Sequence, residues 1–173
     1  MRILAISGSL RATSSNTAAL RAAQLLASPG MEIILYGELG TLPHFNPDLE
    51  ELRLPAVVEL EAMVRHADAL LISSPEYARG VPGALKNALD WLVSSDAFVG
   101  KPVALINTSP RATHAQASLA LTLETMAGRM VPEASIVLPL LGKNLDAAGI
   151  AGDAELAGRL RGALEELAEA VEG

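Results

Sequence analysis

Short apolar runs alternate with stretches of helical periodicity along the whole chain. The runs are apolar at nearly every position, which predicts strands that are buried on both faces. Between them, apolar residues recur every three or four positions, as in the stripe of Leu156, Leu160 and Leu164 near the end of the chain. Strands are predicted at 2–7, 31–36, 67–73, 101–108 and within 133–141, and helices at 16–28, 56–66, 82–93, 113–127 and after Asp153.

A β-α unit therefore repeats five times, which predicts an α/β protein. Strands that are apolar on both faces belong in a sheet covered by helices, so we expect a three-layer α/β/α sandwich with a five-stranded parallel sheet. Right-handed crossovers leave few topologies, and the strand order 2-1-3-4-5 is the one we expect. The 173 residues contain no internal repeat and no linker, which favours one domain covering 1–173.

Two polar loops follow the predicted strands at which this sheet reverses its winding. In open α/β sheets, ligands bind beyond the carboxyl ends of the strands at that reversal, here between strands one and three. The loops at 8–16 and 74–81 follow those two strands, and they are the most distinctive loops of the sequence. The sequence therefore predicts one ligand site that both loops share.

The first loop has the composition of an anion site. A guanidinium, several hydroxyls and the free N–H groups of a helix start together suit a phosphate, and Gly8 allows a close turn. An alternative is that Ser15 or Asn16 simply caps the helix. The loop lacks the lysine of a P-loop and has one glycine where a dinucleotide fingerprint needs three. Its polar side chains belong to Ser9, Arg11, Thr13, Ser14, Ser15, Asn16 and Thr17.

The second loop, at 75–80, suits the edge of a flat heterocycle. Only 3% of the residues are aromatic, and Tyr77 is one of them, yet it lies in this loop and not in a strand. We therefore expect Tyr77 to contact the face or the edge of a ring. The alternative is a tyrosine that packs at the edge of the domain. Glu76 is interpreted as an anchor that accepts N–H bonds, not as a general base. After strand four, Ser109 and Arg111 lie where they reach the polar edge of the same ring.

Composition excludes several classes of function. The net charge of −7 argues against a nucleic-acid surface, and no apolar run approaches a membrane span, so we expect a cytoplasmic protein. The chain has no cysteine, so any redox chemistry needs a bound cofactor. The histidines His44, His66 and His114 are too scattered to share a metal ion.

Two motifs carry a resemblance to a known family. GSLRxxSxN after strand one and SPEYxxGxPGxLKNxxDW after strand three resemble the NADPH-dependent FMN reductase family of flavodoxin-like proteins. The resemblance implies non-covalent FMN, with NADPH or NADH as the hydride donor. It also implies that the FMN phosphate lies on Ser9, Arg11, Ser15, Asn16 and Thr17, and the ring against Pro75, Glu76, Tyr77 and Ala78.

The implied reaction passes two electrons from the nicotinamide through the flavin to a small-molecule acceptor. Quinones, azo compounds, chromate and free flavin are the acceptors of such relatives. Arg111 is a hypothetical stabiliser of negative charge on the reduced flavin.

Relatives form homodimers or homotetramers, so we expect the 85–92 helix, with Trp91, near a subunit contact. The long loop at 37–53 is expected beside the flavin or at that contact.

Two departures from the family pattern concern the ring, and other functions remain open. Ala78 stands where relatives often carry asparagine, and Pro110 lacks the N–H that a glycine-rich loop would offer. A flavodoxin-like electron carrier and a flavin-bound redox sensor are alternatives that use the same cofactor without turnover. A phosphosugar-binding protein without flavin is a third alternative.

Overall fold

The chain forms a parallel sheet with helices on both of its faces. Residues 1–173 are described by a computed structural model. The strands are β1 (Arg2–Ser7), β2 (Glu32–Tyr36), β3 (Ala69–Ser73), β4 (Pro102–Asn107), β5 (Arg129–Met130) and β6 (Ile136–Val137). The helices are α1 (Ser15–Leu26), α2 (Pro55–His66), α3 (Gly83–Leu92), α4 (Thr113–Thr125), α5 (Ala147–Gly152) and α6 (Ala154–Glu172), with 3-10 turns at Pro47–Leu52 and Asp96–Phe98.

The order of the strands confirms the predicted fold class. Strands β2, β1, β3, β4 and β5 are neighbours in that order, β6 also pairs with β4, and every pair is parallel. Ser7 and Ser73, at the ends of β1 and β3, are register partners. The loops that follow these two strands therefore start side by side at the carboxyl edge of the sheet.

The core is divided by the sheet into two layers, as strand alternation requires. Ile3 and Ala5 of β1 face one side, where α1, α5 and α6 supply buried leucine, isoleucine and alanine side chains. Leu4 and Ile6 face the other side and pack with buried residues of α2, α3 and α4. None of the helices combines the length and the apolar character that a bilayer crossing requires.

The fifth strand differs from its prediction because it is divided in two. Strand β6 lies within the predicted 133–141 segment, but β5 precedes it and was not predicted. Between them, Pro132 has no N–H to give to a sheet, and the backbone turns away from β4. Ser135 fills the gap, because its hydroxyl accepts from Leu105 N at 3.1 Å and donates to Val131 O at 2.9 Å.

Two helix starts also differ from the sequence prediction. Ser14, not Ser15 or Asn16, caps α1 by accepting from Thr17 N at 3.4 Å. Pro82 has an extended ψ of 137° and lies just before α3, so Gly83 and not Pro82 is the first helical residue. The short helix α5 was not predicted, and its first turn is capped by Asp146.

Candidate functional site

Three loops at the carboxyl edge of the sheet surround one cleft. Its volume is about 340 Å³, which lies within the range of small-molecule sites. All of the predicted site residues except Thr17 and Ala78 line it. The lining residues are Ser9, Arg11, Thr13, Ser14, Ser15, Asn16, Ser74, Pro75, Glu76, Tyr77, Thr108, Ser109, Arg111, Ala112 and Leu141.

The first end of the cleft is the N-terminus of α1. Exposed Ser15 is the first residue of this helix, and the first N–H groups of a helix have no acceptor within it. Ser9 N donates to Ser7 Oγ at 3.3 Å, and Arg11 N donates to Ser9 Oγ at 3.3 Å, which fixes the approach to the helix. Hydroxyls, free N–H groups and the positive end of the helix dipole thus converge on one place.

Thr17 supports this end of the cleft from behind and does not face it. Its Oγ1 lies 2.8 Å from Ser7 Oγ, so the two hydroxyls share one hydrogen bond. This bond joins the first turn of α1 to the last residue of β1. Thr17 therefore helps to position the loop.

Asn16 joins three elements from a nearly buried position. Its Oδ1 lies 2.9 Å from Ser73 Oγ at the end of β3, and it accepts from Thr108 Oγ1 at 3.1 Å just beyond β4. Only 6% of the residue is exposed, yet it lines the cleft. Because the amide oxygen accepts from Thr108, the amide nitrogen is the group available to donate to a ligand.

Close approach of the first two loops depends on Gly8. A β-carbon at this position would lie 2.5 Å from Ser74 Oγ and 3.1 Å from Leu85 Cδ2. No ordinary side chain fits there without displacing the loop after β3. The glycine predicted to allow a close turn therefore also lets the second loop pack directly against the first.

Glu76 ties the second loop to the start of α4. Its Oε2 accepts from His114 N and from Ala115 N, each at 2.9 Å. These are orphan donors of the first helical turn, and a carboxylate there also meets the positive end of the helix dipole. The interpretation of Glu76 as an anchor that accepts N–H bonds is confirmed.

The tip of the second loop is a tight turn with an uncommon backbone. Tyr77 and Gly80 exchange hydrogen bonds, from Tyr77 N to Gly80 O at 3.1 Å and from Gly80 N to Tyr77 O at 2.9 Å. The two central residues, Ala78 and Arg79, have φ values of 49° and 62°. Turns of this kind favour Asn-Gly, and each non-glycine residue in the left-handed region costs about 1 kcal/mol. Tyr77 itself is 56% exposed.

The third loop is held by the last residue of β4, which sequence reasoning did not single out. Asn107 Nδ2 donates to Ala112 O at 3.2 Å, and Asn107 Oδ1 accepts from Ser109 N at 3.0 Å. Both ends of the four-residue loop are thereby fixed to one buried side chain. Arg111 lies within this loop, exposed and next to the cleft.

Leu141 lines the cleft from a segment that was not predicted to reach it. Leu140 N donates to Thr108 O at 3.1 Å, which draws the chain after β6 toward the end of β4. Leu141 is 58% exposed. No local signal marks it, whereas Thr13, Ser14 and Ser74 belong to loops that the sequence had already singled out.

The long loop at 37–53 is fastened to α3 within the same chain. Trp91 Nε1 donates to Pro43 O at 2.8 Å. Asn87 Nδ2 donates to the same oxygen at 3.0 Å, and Asn87 Oδ1 accepts from Phe45 N at 2.7 Å. Trp91 is buried and meets the ring of Phe45 edge-on at 5.1 Å. Trp91 thus packs within its own chain, and the expected subunit contact of this helix stays a prediction. No residue of the loop lines the cleft.

The charged and polar groups that line the cleft suit an organic anion. No group of three histidine, cysteine or acidic side chains is arranged to hold a cation. Arg11 and Arg111 line the cleft, and none of the ion pairs of the molecule involves either one. A phosphate at the α1 end and a flat group between the second and third loops fit this distribution of donors.

Comparison with known proteins defines the class to which this fold and this site belong. The sequence model of the NADPH-dependent FMN reductase family matches residues 1–139, and the chain belongs to this family.

Individual relatives agree with this family. An NAD(P)H-dependent FMN reductase of Pseudomonas aeruginosa is 43% identical over 112 residues, or 63% of this chain and 60% of that protein. A quinone reductase of Escherichia coli K12 is 38% identical over 113 residues, again 63% and 60%. The chain thus spans about 60% of the length of these two curated relatives.

Solved structures extend the likeness to the whole chain. A flavoenzyme NAD(P)H:(acceptor) oxidoreductase of Paracoccus denitrificans is 33% identical with a TM-score of 0.85, covering 99% of this chain and 97% of that one. An archaeal flavodoxin covers 100% of both chains at a TM-score of 0.64, but at 16% identity it supports the fold alone.

Proposed function

We propose that this chain is an NAD(P)H-dependent flavin oxidoreductase that binds FMN without a covalent bond. The observation that carries the proposal is the cleft itself. An anion-binding helix start and two ring-side loops meet there, at the carboxyl edge of the sheet, in a member of the FMN reductase family. We further propose that residues 1–173 form one FMN-binding domain.

The phosphate of FMN is assigned to the α1 end of the cleft. Ser9, Ser15 and Asn16 would donate hydrogen bonds to it there, and the Arg11 guanidinium would neutralise its charge. Thr17 belongs to this set as a support, because its hydroxyl already binds Ser7.

The ring is assigned to the space between the second and third loops. Pro75, Glu76 and Tyr77 would border one side, and Ser109 and Arg111 the other. Ala78 shapes this border through its turn, since it does not line the cleft. Glu76 already binds two N–H groups of α4, so its role is to position the ring-side loops.

The chemistry belongs to the cofactor, and the protein supplies orientation. Bound FMN would supply the transfer of two electrons from a nicotinamide, which is oxidised to NAD(P)⁺, to an acceptor. The nicotinamide and the acceptor would both need access to the space between the second and third loops, so the opening of the cleft must stay free. The exposed surfaces of Tyr77 and Leu141 border the cleft and would be covered by a flat substrate.

A quinone is the acceptor class that we favour, because one of the relatives described above is named for it. The Escherichia coli protein is named a quinone reductase, and the Paracoccus denitrificans enzyme is named for an unspecified acceptor. Azo compounds, chromate and free flavin are further candidates for the same reaction. We also propose a cytoplasmic location and a homodimer or homotetramer. Sedimentation analysis of the purified protein tests the oligomeric state.

The direct test is optical. The protein mixed with FMN should retain a yellow chromophore through gel filtration, lose its absorbance near 450 nm when NADPH is added without air, and oxidise NADPH continuously with a quinone. A colourless protein would favour the phosphosugar-binding alternative. A yellow protein without turnover would favour an electron carrier or a redox sensor.

The phosphate assignment predicts a specific loss in Arg11→Ala. A charge-assisted hydrogen bond contributes about 1.5–3 kcal/mol, so the Kd for FMN should rise about 10- to 100-fold in fluorescence titrations. Arg21→Ala is the matched control, because Arg21 is an exposed arginine on α1 that does not line the cleft. Equal affinities of the two variants would contradict the assignment.

A further inference from the structure

The residues at the tip of the second loop are poorly suited to its fold. Ala78 and Arg79 both occupy the left-handed region, where glycine or asparagine is preferred. The turn is nevertheless closed by both hydrogen bonds between Tyr77 and Gly80. Arginine at position 79 therefore does not serve the stability of the turn. Strain retained beside a binding cleft motivates a search for a function of that side chain.

Arg79 also has a free positive charge next to the cleft. It is exposed, and no carboxylate forms an ion pair with it, although the chain has 20 acidic residues. It lies two residues from Tyr77, which lines the ring end of the cleft. Arg11 and Arg111 are unpaired in the same way and line that cleft. A protein with a net charge of −7 thus places two available guanidinium groups in the cleft and a third one two residues from the lining residue Tyr77.

The proposed cofactor does not account for all of these cations. FMN carries one phosphate, and that phosphate is assigned to the α1 end, where Arg11 lies. Arg79 belongs to the loop at the other end, beside the assigned ring. An anion at that end would come from the second ligand of the reaction. The hydride donor is a dinucleotide with a pyrophosphate and, in NADPH, an additional 2′-phosphate.

We propose that Arg79 binds a phosphate of the nicotinamide dinucleotide while the nicotinamide occupies the ring end of the cleft. This inference rests on the proposed function. A planar guanidinium suits a phosphate because it donates two parallel hydrogen bonds. The left-handed turn holds the residue at the border of the cleft, so the strain serves substrate binding.

Arg79→Gly separates the fold from the binding role. Glycine suits a φ of 62°, so the thermal midpoint of the variant should stay unchanged or rise. The KM for the dinucleotide should rise about tenfold, while kcat with saturating donor and the Kd for FMN stay unchanged. Arg79→Lys should restore part of the affinity, since it keeps the charge but not the paired hydrogen bonds.

Two comparisons identify the phosphate. A rise in KM for NADPH but not for NADH assigns Arg79 to the 2′-phosphate, and equal rises assign it to the pyrophosphate. Adenosine 2′,5′-bisphosphate and AMP, used as competitive inhibitors, provide the same comparison without electron transfer. Arg161→Ala is the control, because Arg161 is exposed on α6, has no ion pair and does not line the cleft.

The outcomes separate this inference from the function on which it rests. An Arg79→Gly protein that turns over with the wild-type KM for both dinucleotides overturns the role of Arg79 and leaves the flavin reductase intact. A loss of FMN affinity in that variant also overturns it, because Arg79 would then belong to the cofactor site. A wild-type protein that binds FMN but oxidises neither NADPH nor NADH overturns both proposals.

Discussion

Tyr36 is a buried tyrosine whose hydroxyl has no hydrogen-bond partner. Only 5% of the residue is exposed, and its Oη is the one buried side-chain oxygen or nitrogen left unpaired. Such a group loses its bonds to water on folding and gains none in return. Tyr36→Phe should therefore raise the free energy of unfolding by about 1 kcal/mol, measured by urea denaturation at pH 7. Tyr77→Phe, with its exposed side chain, should change it little, and a loss of stability in Tyr36→Phe would contradict this account.

The same hydroxyl makes the stability of the protein dependent on alkaline pH. Burial, followed by the charges of Glu59 and Glu38, raises the pKa of Tyr36 from 10.0 to about 12. Because the folded pKa lies above the unfolded one, the folded state favours the protonated hydroxyl. Titration of Tyr36 therefore leaves the free energy of unfolding unchanged below pH 10 and lowers it as the pH rises toward 12. Burial lowers the pKa of Lys101, and this shift makes stability rise with pH. Lys101 is present in both the wild type and Tyr36→Phe, so its effect cancels in the comparison. Between pH 10 and 12 the wild type should therefore lose more stability than Tyr36→Phe.

At the scale of elements, Glu76 links a loop of the cleft to the helix that follows the next strand. Its carboxylate binds two backbone donors of α4, His114 N and Ala115 N. Glu76→Ala should lower the free energy of unfolding by about 1 kcal/mol, as loss of a cap does, and should weaken FMN binding because the ring-side loops separate. Denaturation curves and FMN titrations measure the two effects.

The cap of a different helix provides the control for Glu76. Asp146→Ala removes the acceptor for Gly149 N on α5, so it should cost similar stability without changing FMN affinity, since Asp146 does not line the cleft. Glu76→Gln keeps one acceptor oxygen and should fall between wild type and Glu76→Ala. An FMN affinity unchanged in Glu76→Ala would show that the link does not position the ring.

The order of elements was predictable because it depends on local periodicity and on general rules of connection. Buried strands alternating with amphipathic helices leave few sheet orders, and the observed order is the expected one. The division of the last strand was not predictable. It depends on Ser135, whose hydroxyl replaces a sheet hydrogen bond to Leu105, and the sequence alone does not show that these residues meet. The cap of α1 was uncertain for a local reason, since Ser14, Ser15 and Asn16 are all suitable capping residues.

At the scale of the whole molecule, the candidate site was predictable where it follows strand ends and not where it depends on distant segments. Sheet topology brings the loops after β1, β3 and β4 together, so most of the lining residues could be named. Leu141 could not, because its position depends on the hydrogen bond between Leu140 N and Thr108 O. Thr17 was assigned to the cleft, but its hydroxyl is turned to Ser7.

The long loop at 37–53 contacts both the first loop and α3, although it does not line the cleft. At one end, Gly40 approaches Leu10 of the first loop so closely that an added β-carbon would lie 3.2 Å from its side chain. Further along, Asn87 and Trp91 of α3, the helix that follows the second loop, hold Pro43 and Phe45. The loop therefore braces the first loop against α3 without lining the cleft.

Removal of the Asn87 side chain should loosen this brace and leave the cleft in place. Asn87→Ala removes the acceptor that lies 2.7 Å from Phe45 N, so hydrogen–deuterium exchange at this amide should become faster. The free energy of unfolding should fall by about 1 kcal/mol for the lost hydrogen bonds, and the Kd for FMN should change less than twofold because no residue of the loop lines the cleft. Lys86→Ala, which breaks only an exposed pair with Asp90, should cost about 0.3 kcal/mol and leave the Phe45 amide protected. If Phe45 exchanged at the same rate in both variants, α3 would not be what holds the loop.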